Sequence, residues 1–154
     1  MDDLEILDTC VKCGAKCCKL GGSNFTTKER NAIINAGYPD HIIELSPNHW
    51  EFISKKGICP YLNKDNSCSI HEVRPLACRC FPVHPEINNG KKEYYLAQCP
   101  LGKKLQQKII LQMKKDASKY PSKIIKERLE KSNVSEEDFI LIKKRLKDFK
   151  SIKI

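Results

Sequence analysis

Nine of the 154 residues are cysteine, and they are clustered. Four fall within "CVKCGAKCCKL" as Cys10, Cys13, Cys17 and Cys18. Four more, Cys59, Cys68, Cys78 and Cys80, fall within "CPYLNKDNSCSIHEVRPLACRC", and Cys99 stands apart. A C-x2-C step lets one turn of chain offer two thiolates to a single metal centre, as in zinc and iron–sulfur sites. Gly14, directly after Cys13, permits the tight turn such a step needs. Side chains of consecutive residues in an extended segment point opposite ways. On that basis Cys17 and Cys18 are predicted to face apart and to serve different centres. With Cys80 set aside, eight thiols remain, enough for two four-thiolate sites.

Charge balance agrees with that chemistry. Four thiolates around Zn²⁺ or a [4Fe–4S]²⁺ core leave a net charge of about −2. Lys12, Lys16, Lys19, Arg74 and Arg79 lie beside the cysteines and can offset it. A free cysteine is often just a small buried apolar side chain. For one cysteine that reading is adequate; eight at these spacings argue for ligation. Cys80, between Arg79 and Phe81, is as well read as a packed thiol as a ligand. His71 and His84 are weaker ligand candidates, supported only by proximity in sequence to the cysteines. His41 and His49 have no such neighbours. Arg74 and Arg79 are read as braces that bond sulfur or backbone rather than substrate.

These residues need elements to position them. "TTKERNAIINAGYP" reads as a helix capped by Thr26 or Thr27, with Ile33 and Ile34 inward and Gly37 and Pro39 ending it. "HIIEL" fits a short strand or a helical turn, while "NHWEFI" brings Trp50 and Phe52 to a core. "NKDN" carries turn chemistry between Leu62 and Cys68. "SIHEV" fits a helical turn that stops before Pro75. "KKEYYLAQC" is a candidate strand leading into Cys99. From Pro100 onward the period becomes helical. Leu101, Leu105, Ile109 and Met113 form one stripe, Ile124, Ile125 and Leu129 a second behind Pro121, and Phe139, Ile142, Leu146 and Phe149 a third behind a Ser135 cap.

The predicted fold class is mainly α with short β elements, an α+β arrangement. It comprises a loop-rich cysteine domain over 1–100 and a helical hairpin or bundle over 101–154 that packs on it. Charge follows the same division. Residues 1–100 hold 12 basic and 12 acidic side chains, whereas 101–154 hold 16 basic and 7 acidic, the whole of the net +9. The bland reading of that tail is a set of solvated lysine faces. Its aromatics are spaced for helix packing rather than base stacking, so nucleic acid is disfavoured and an acidic protein is the candidate partner. The acidic start, "MDDLEILD", lacks the features of a secretory leader, and no apolar run is long enough to span a membrane. A cytoplasmic location is the expectation, and clustered cysteines there are read as metal ligands before disulfides.

The segments "CVKCGAKCC" and "CPYL-x5-CSIHEVRPLACRCFP", with the later "CP" at Cys99-Pro100, resemble the YkgJ-type, or CxxCxxCC, cysteine-cluster family of zinc- or iron-chelating domains. The resemblance spans Cys10 to Pro100. It implies metal or iron–sulfur binding through Cys10, Cys13, Cys17, Cys18, Cys59, Cys68 and Cys78, with Cys99 as an eighth ligand. This chain departs from the pattern in three places. Three residues rather than two separate Cys13 from Cys17, His71 stands where many relatives carry Tyr, and Cys80 is an extra thiol.

No nucleophile elbow, His-Glu-x-x-His, Walker loop or dinucleotide fingerprint is present, so no catalytic residue is assigned. The leading functional reading is a metal-binding protein holding zinc or one or two iron–sulfur clusters. The alternative is an iron–sulfur oxidoreductase or electron carrier, or an accessory subunit of a protein-modifying enzyme. Cys-Pro at 59–60 and at 99–100, and a doublet able to serve two nearby centres, tilt the choice toward iron–sulfur.

Overall fold

The computed structural model describes residues 1–147 and 149–154. It is a mixed α+β fold, as the pattern predicts, with seven α-helices and two three-stranded antiparallel sheets among the described residues. The chain opens with a helix the sequence reading missed, α1 (Asp3–Cys13). Asp2 caps it by accepting from Glu5 N, and the Glu5 side chain reciprocates on the Asp2 N–H. Two of the four orphan amides of the first turn are thereby satisfied. Gly14 ends the helix in the left-handed region (φ 85°), a conformation cheap only for glycine. Cys10 and Cys13 thus sit on the last turn of a helix, on one face by their i, i+3 spacing.

A 3₁₀ turn, Lys16–Lys19, carries the cysteine doublet. The first sheet follows, built from β1 (Asn24–Phe25), β2 (Ile42–Ser46) and β3 (His49–Phe52) in the order β1-β3-β2. Helix α2 (Thr27–Asn35) covers it, capped by Thr26 as predicted. Phe25, Ile33, Ile42, Phe52, Tyr61 and Ile70 form the core beneath, with Phe25 and Phe52 ring centroids 4.7 Å apart. "SIHEV" closes as a 3₁₀ turn at His71–Val73, before Pro75. Short helix α3 (Leu76–Cys80) then presents Cys78.

The second sheet has the order β4-β5-β6, from β4 (Val83–Asn88), β5 (Lys91–Ala97) and β6 (Ser151–Lys153). Strand β6 comes from the C-terminal stretch, so that stretch contributes to the sheet as well as supplying helices. The stripe expected from Leu101 to Met113 is two helices, α4 (Pro100–Lys104) and α5 (Gln107–Ala117). Leu105 and Gln106 are extended between them, which turns α5 so that Ile110, Met113 and Ala117 bury against Val83, Leu96 and Leu101. Helix α6 (Ser122–Glu127) is shorter than its stripe implied. Leu129 lies beyond its end and is 77% exposed rather than in the core. Helix α7 (Glu136–Leu146) starts at Ser135, whose hydroxyl accepts from Asp138 N, as predicted.

Candidate metal centre

All nine cysteines are free thiols, and all nine line one cavity of about 910 Å³. They reach it from separate elements. Cys10 and Cys13 come from α1, Cys17 and Cys18 from the 3₁₀ turn, Cys59 and Cys68 from a loop pair, Cys78 and Cys80 from α3, and Cys99 from the start of α4. The loop pair is fixed by the main chain. Cys59 N donates to Cys18 O at 2.8 Å, and Leu62 and Cys68 form a β-bridge across the "NKDN" turn. The RP segment is pinned by Glu29 of α2. One Glu29 oxygen accepts from Thr26 and the other from Leu76 N at 2.6 Å, so the carboxylate caps α3.

The sulfurs feel one another. Burial pushes the Cys10 thiol up to about 11, and the neighbouring Cys18, Cys13 and Cys99 add to the rise. Burial likewise raises Cys59, to about 12, and Cys68 and Cys78, with Cys18 adding to each of the three. Opposing forces are also built in. Main-chain N–H groups near the Cys59 and Cys68 sulfurs ease both thiols back down. Gly102 N donates to Cys99 Sγ at 3.4 Å. Each N–H···S bond favours the thiolate, the form that ligates metal. Arg74 lies close enough to Cys10 and Cys68 to ease both, while its guanidinium grips His71 O at 2.5 Å and Asp3 Oδ1 at 3.4 Å.

The doublet differs from the prediction. Cys17 and Cys18 do not face apart. The segment is a helical turn rather than extended chain, and both side chains border the same cavity. Their closeness raises the Cys17 thiol and lowers that of Cys18. Cys80 is 4% exposed and packs in the apolar core with Val83, Leu96 and Leu101. His84 has both ring nitrogens engaged, near Glu86 Oε1 (3.3 Å) and Ser151 Oγ (3.1 Å). His71 borders the cavity, with Nδ1 3.3 Å from Arg74 Nη1. Among the described residues, no three Cys, His, Asp or Glu side chains stand close enough together to hold an ion as they are.

Two buried polar residues near the cavity were not singled out by the sequence. His49 is fully buried, with Nε2 2.7 Å from Asn24 Oδ1 and Nδ1 3.1 Å from Glu127 Oε1. Glu51 borders the cavity and accepts from Ser132 Oγ and from Asn133 N. Burial raises the Glu51 carboxyl, and those bonds partly restore it. Their location in a short strand, where polar side chains usually face water, hides both in the sequence.

This geometry sets the comparison with known proteins. The CxxCxxCC family model, described as "Putative zinc- or iron-chelating domain", matches residues 9–100. The chain belongs to that family. No curated protein and no solved structure matches it. The family covers every cysteine, and metal chelation is its described property. Residues 101–154 lie outside the match but build part of the same cavity through Leu101, Tyr120, Phe139 and Ile142. Among the described residues, no helix is long and apolar enough to cross a membrane.

Proposed function

We propose that this chain binds two thiolate-held metal centres through Cys10, Cys13, Cys17, Cys18, Cys59, Cys68, Cys78 and Cys99. One observation carries the reading: the eight sulfurs, brought from five separate segments, line one cavity. An apolar core has no use for eight thiols converging from separate segments, whereas a thiolate metal site does. The donor set, eight thiols, suits zinc or iron–sulfur over magnesium or calcium.

The partition follows the packing. Cys59 and Cys68 border the core beneath the first sheet, and Cys59 N donates to Cys18 O; with Cys78 these form one set. Cys10 and Cys99 border the core of the second sheet, and with Cys13 and Cys17 they form the other. The doublet then joins two adjacent centres from one turn. Centres this close favour iron–sulfur clusters and a role in electron transfer, since clusters add reducible iron to the site. The chain's own residues hold the sulfurs, supply the amide donors and, through Arg74, balance charge. Anaerobic purification with metal analysis and an absorption spectrum tests this. Iron with sulfide and broad absorption near ~400 nm supports clusters. Stoichiometric zinc in a colourless protein would retain the thiolate sites and discard the redox role. A chain without metal would overturn both.

A further inference from the structure

The two ring nitrogens of His84 join a carboxylate to a hydroxyl. Nδ1 lies 3.3 Å from Glu86 Oε1, and Nε2 lies 3.1 Å from Ser151 Oγ. The second sheet produces this alignment. Period two puts His84 and Glu86 on one face of β4. His84 stands opposite Tyr95 and Ser151 opposite Ala97, so Ser151 shares that face from β6. Ala97, on the strand between them, is small enough for the imidazole to reach across to the hydroxyl.

Each member is set for a part. Glu86 Oε1 also accepts from Arg128 Nη2 at 2.7 Å, which favours the ionised carboxylate. That carboxylate can only accept, so His84 Nδ1 carries the ring proton and Nε2 is left to accept from the Ser151 hydroxyl. The rings of Phe81 and Tyr95 lie nearly parallel to the imidazole, centroids 6.2 and 5.8 Å away, and restrain its plane. A main-chain donor lies in the same residue as the hydroxyl. Gln98 N donates to Lys150 O and Ile154 N to Tyr94 O, so these are hydrogen-bonded pairs of the ladder. Bonded and non-bonded pairs alternate along antiparallel strands. Ser151 therefore falls in a non-bonded pair, and its N–H points off the outer edge of β6. Ser151 is exposed, and it borders the large cavity together with His84, Glu86, Phe81 and Phe149.

We propose that Ser151, His84 and Glu86 form a second site that hydrolyses carboxylic esters with short apolar acyl groups. Ser151 Oγ attacks the acyl carbon while its proton passes to His84 Nε2. The Ser151 N–H donates to the oxyanion that forms. On collapse, His84 returns the proton to the leaving alkoxide, which departs as the alcohol and leaves acyl-Ser151. Water then attacks the acyl carbon and gives its proton to His84 Nε2. His84 passes that proton to Ser151 Oγ as the carboxylic acid leaves. Glu86 touches no reacting atom; it is a positioning residue that holds the imidazole and favours the imidazolium. Phe81 and Phe149, with ring centroids 6.5 Å apart, supply the apolar wall beside the acyl group. No electron is exchanged, so the reaction does not depend on which metal the sulfurs hold.

The test uses the full chain as purified. A fluorophosphonate probe, which forms its stable adduct at an activated serine rather than at a thiol, is followed by peptide mass mapping. Steady-state hydrolysis of phenyl butyrate reads turnover. The wild type should carry the label on Ser151, and Ser151→Ala should lose both label and turnover. His84→Gln should slow labelling and lower kcat by roughly 10²- to 10⁴-fold, the usual share of a general base. Glu86→Gln can still accept from Nδ1 but carries no charge, so it should lower kcat and leave KM nearly unchanged. An unlabelled Ser151 in the wild type would overturn the proposal without recourse to any variant. So would labelling that His84→Gln leaves at the wild-type rate, or turnover that Ser151→Ala retains. None of these outcomes depends on metal content, so such a failure leaves the metal-binding reading standing.

Discussion

The Cys59 N–H donates to the Cys18 carbonyl at 2.8 Å. The two cysteine segments, forty residues apart in sequence, are therefore joined by main chain before any metal is considered. If their sulfurs form two sets around this junction, the sets should be separable. Cys59→Ser with Cys68→Ser should remove about half the bound metal, and Cys10→Ser with Cys13→Ser should remove the other half. Both should lower the melting temperature, because metal binding contributes to folding. Elemental analysis and thermal melts check this. Full metal at the wild-type melting temperature in either double variant would exclude those residues as ligands.

The raised thiols predict a pH dependence in two directions. Cys10 at about 11 and Cys59 at about 12 hold their protons at neutral pH, so metal binding must displace them. Affinity for Zn²⁺ should therefore climb with pH through the neutral range, up to tenfold per unit for each proton released. The metal-free fold behaves oppositely. Its thiols bind protons more tightly folded than unfolded, where the ordinary value is 9.0. The folded state thus holds more protons in the window from about 9 to 12, and stability falls as pH rises through it. Thermal melts of the reduced, metal-free chain between pH 8 and 11 should show a declining midpoint, whereas the metal-loaded chain should hold its midpoint over the same interval.

Much of this architecture was readable from local chemistry. Thr26 and Ser135 were recognised as caps because a hydroxyl followed at the third position by a carboxylate is a local signal, and both caps are present. The strand ending at Ala97 and the turn before Pro75 were likewise local. The cysteine doublet was misread because its conformation depends on Gly14 and Ala15, both left-handed, which fold the chain into a 3₁₀ turn. The stripe from Leu101 to Met113 hid a break at Leu105, since i+4 spacing survives a two-residue interruption when both helices face one core. The partners of His49 and Glu51 are twenty-five or more residues away, and nothing in the local pattern announces them.

His49 carries a stability prediction that is independent of metal. Its ring is fully buried between Asn24 Oδ1 and Glu127 Oε1, tying β3 both to β1 and to α6. Asn24 also holds the C-terminal part of the chain, because Tyr120 donates its hydroxyl to Asn24 O at 2.7 Å. Replacing His49 with Ala leaves a cavity and strips Asn24 Oδ1 of its ring partner, while Glu127 Oε1 keeps its bond from Ser46 Oγ. A stranded buried polar group costs about 1–3 kcal/mol and the cavity adds to it, so the total loss should reach several kcal/mol in urea denaturation. Tyr120→Phe removes one hydroxyl from the same network and should cost about 1 kcal/mol. A His49→Ala variant as stable as wild type would show that the network contributes nothing.

Arg145 fastens α7 over the doublet. Its Nη1 donates to Lys19 O at 2.8 Å and to Lys56 O at 2.7 Å, while Asp138 at the other end of the helix accepts from Lys56 N at 3.0 Å. Between these clasps only Ile142 is fully buried, while Phe139 and Leu146 are partly exposed. Few apolar contacts back up the polar ones, so α7 should open more readily than the sheets. Arg145→Ala removes two charge-assisted bonds worth about 1.5–3 kcal/mol together with a share of local order. The readout is local. Amide exchange should accelerate in residues 16–19, 56–57 and 136–146, while the β4–β5 amides keep their wild-type protection. Uniform acceleration across both sheets would mean that α7 opens only with the whole molecule, and that Arg145 stabilises the global fold instead of closing a cover over the cysteine turn.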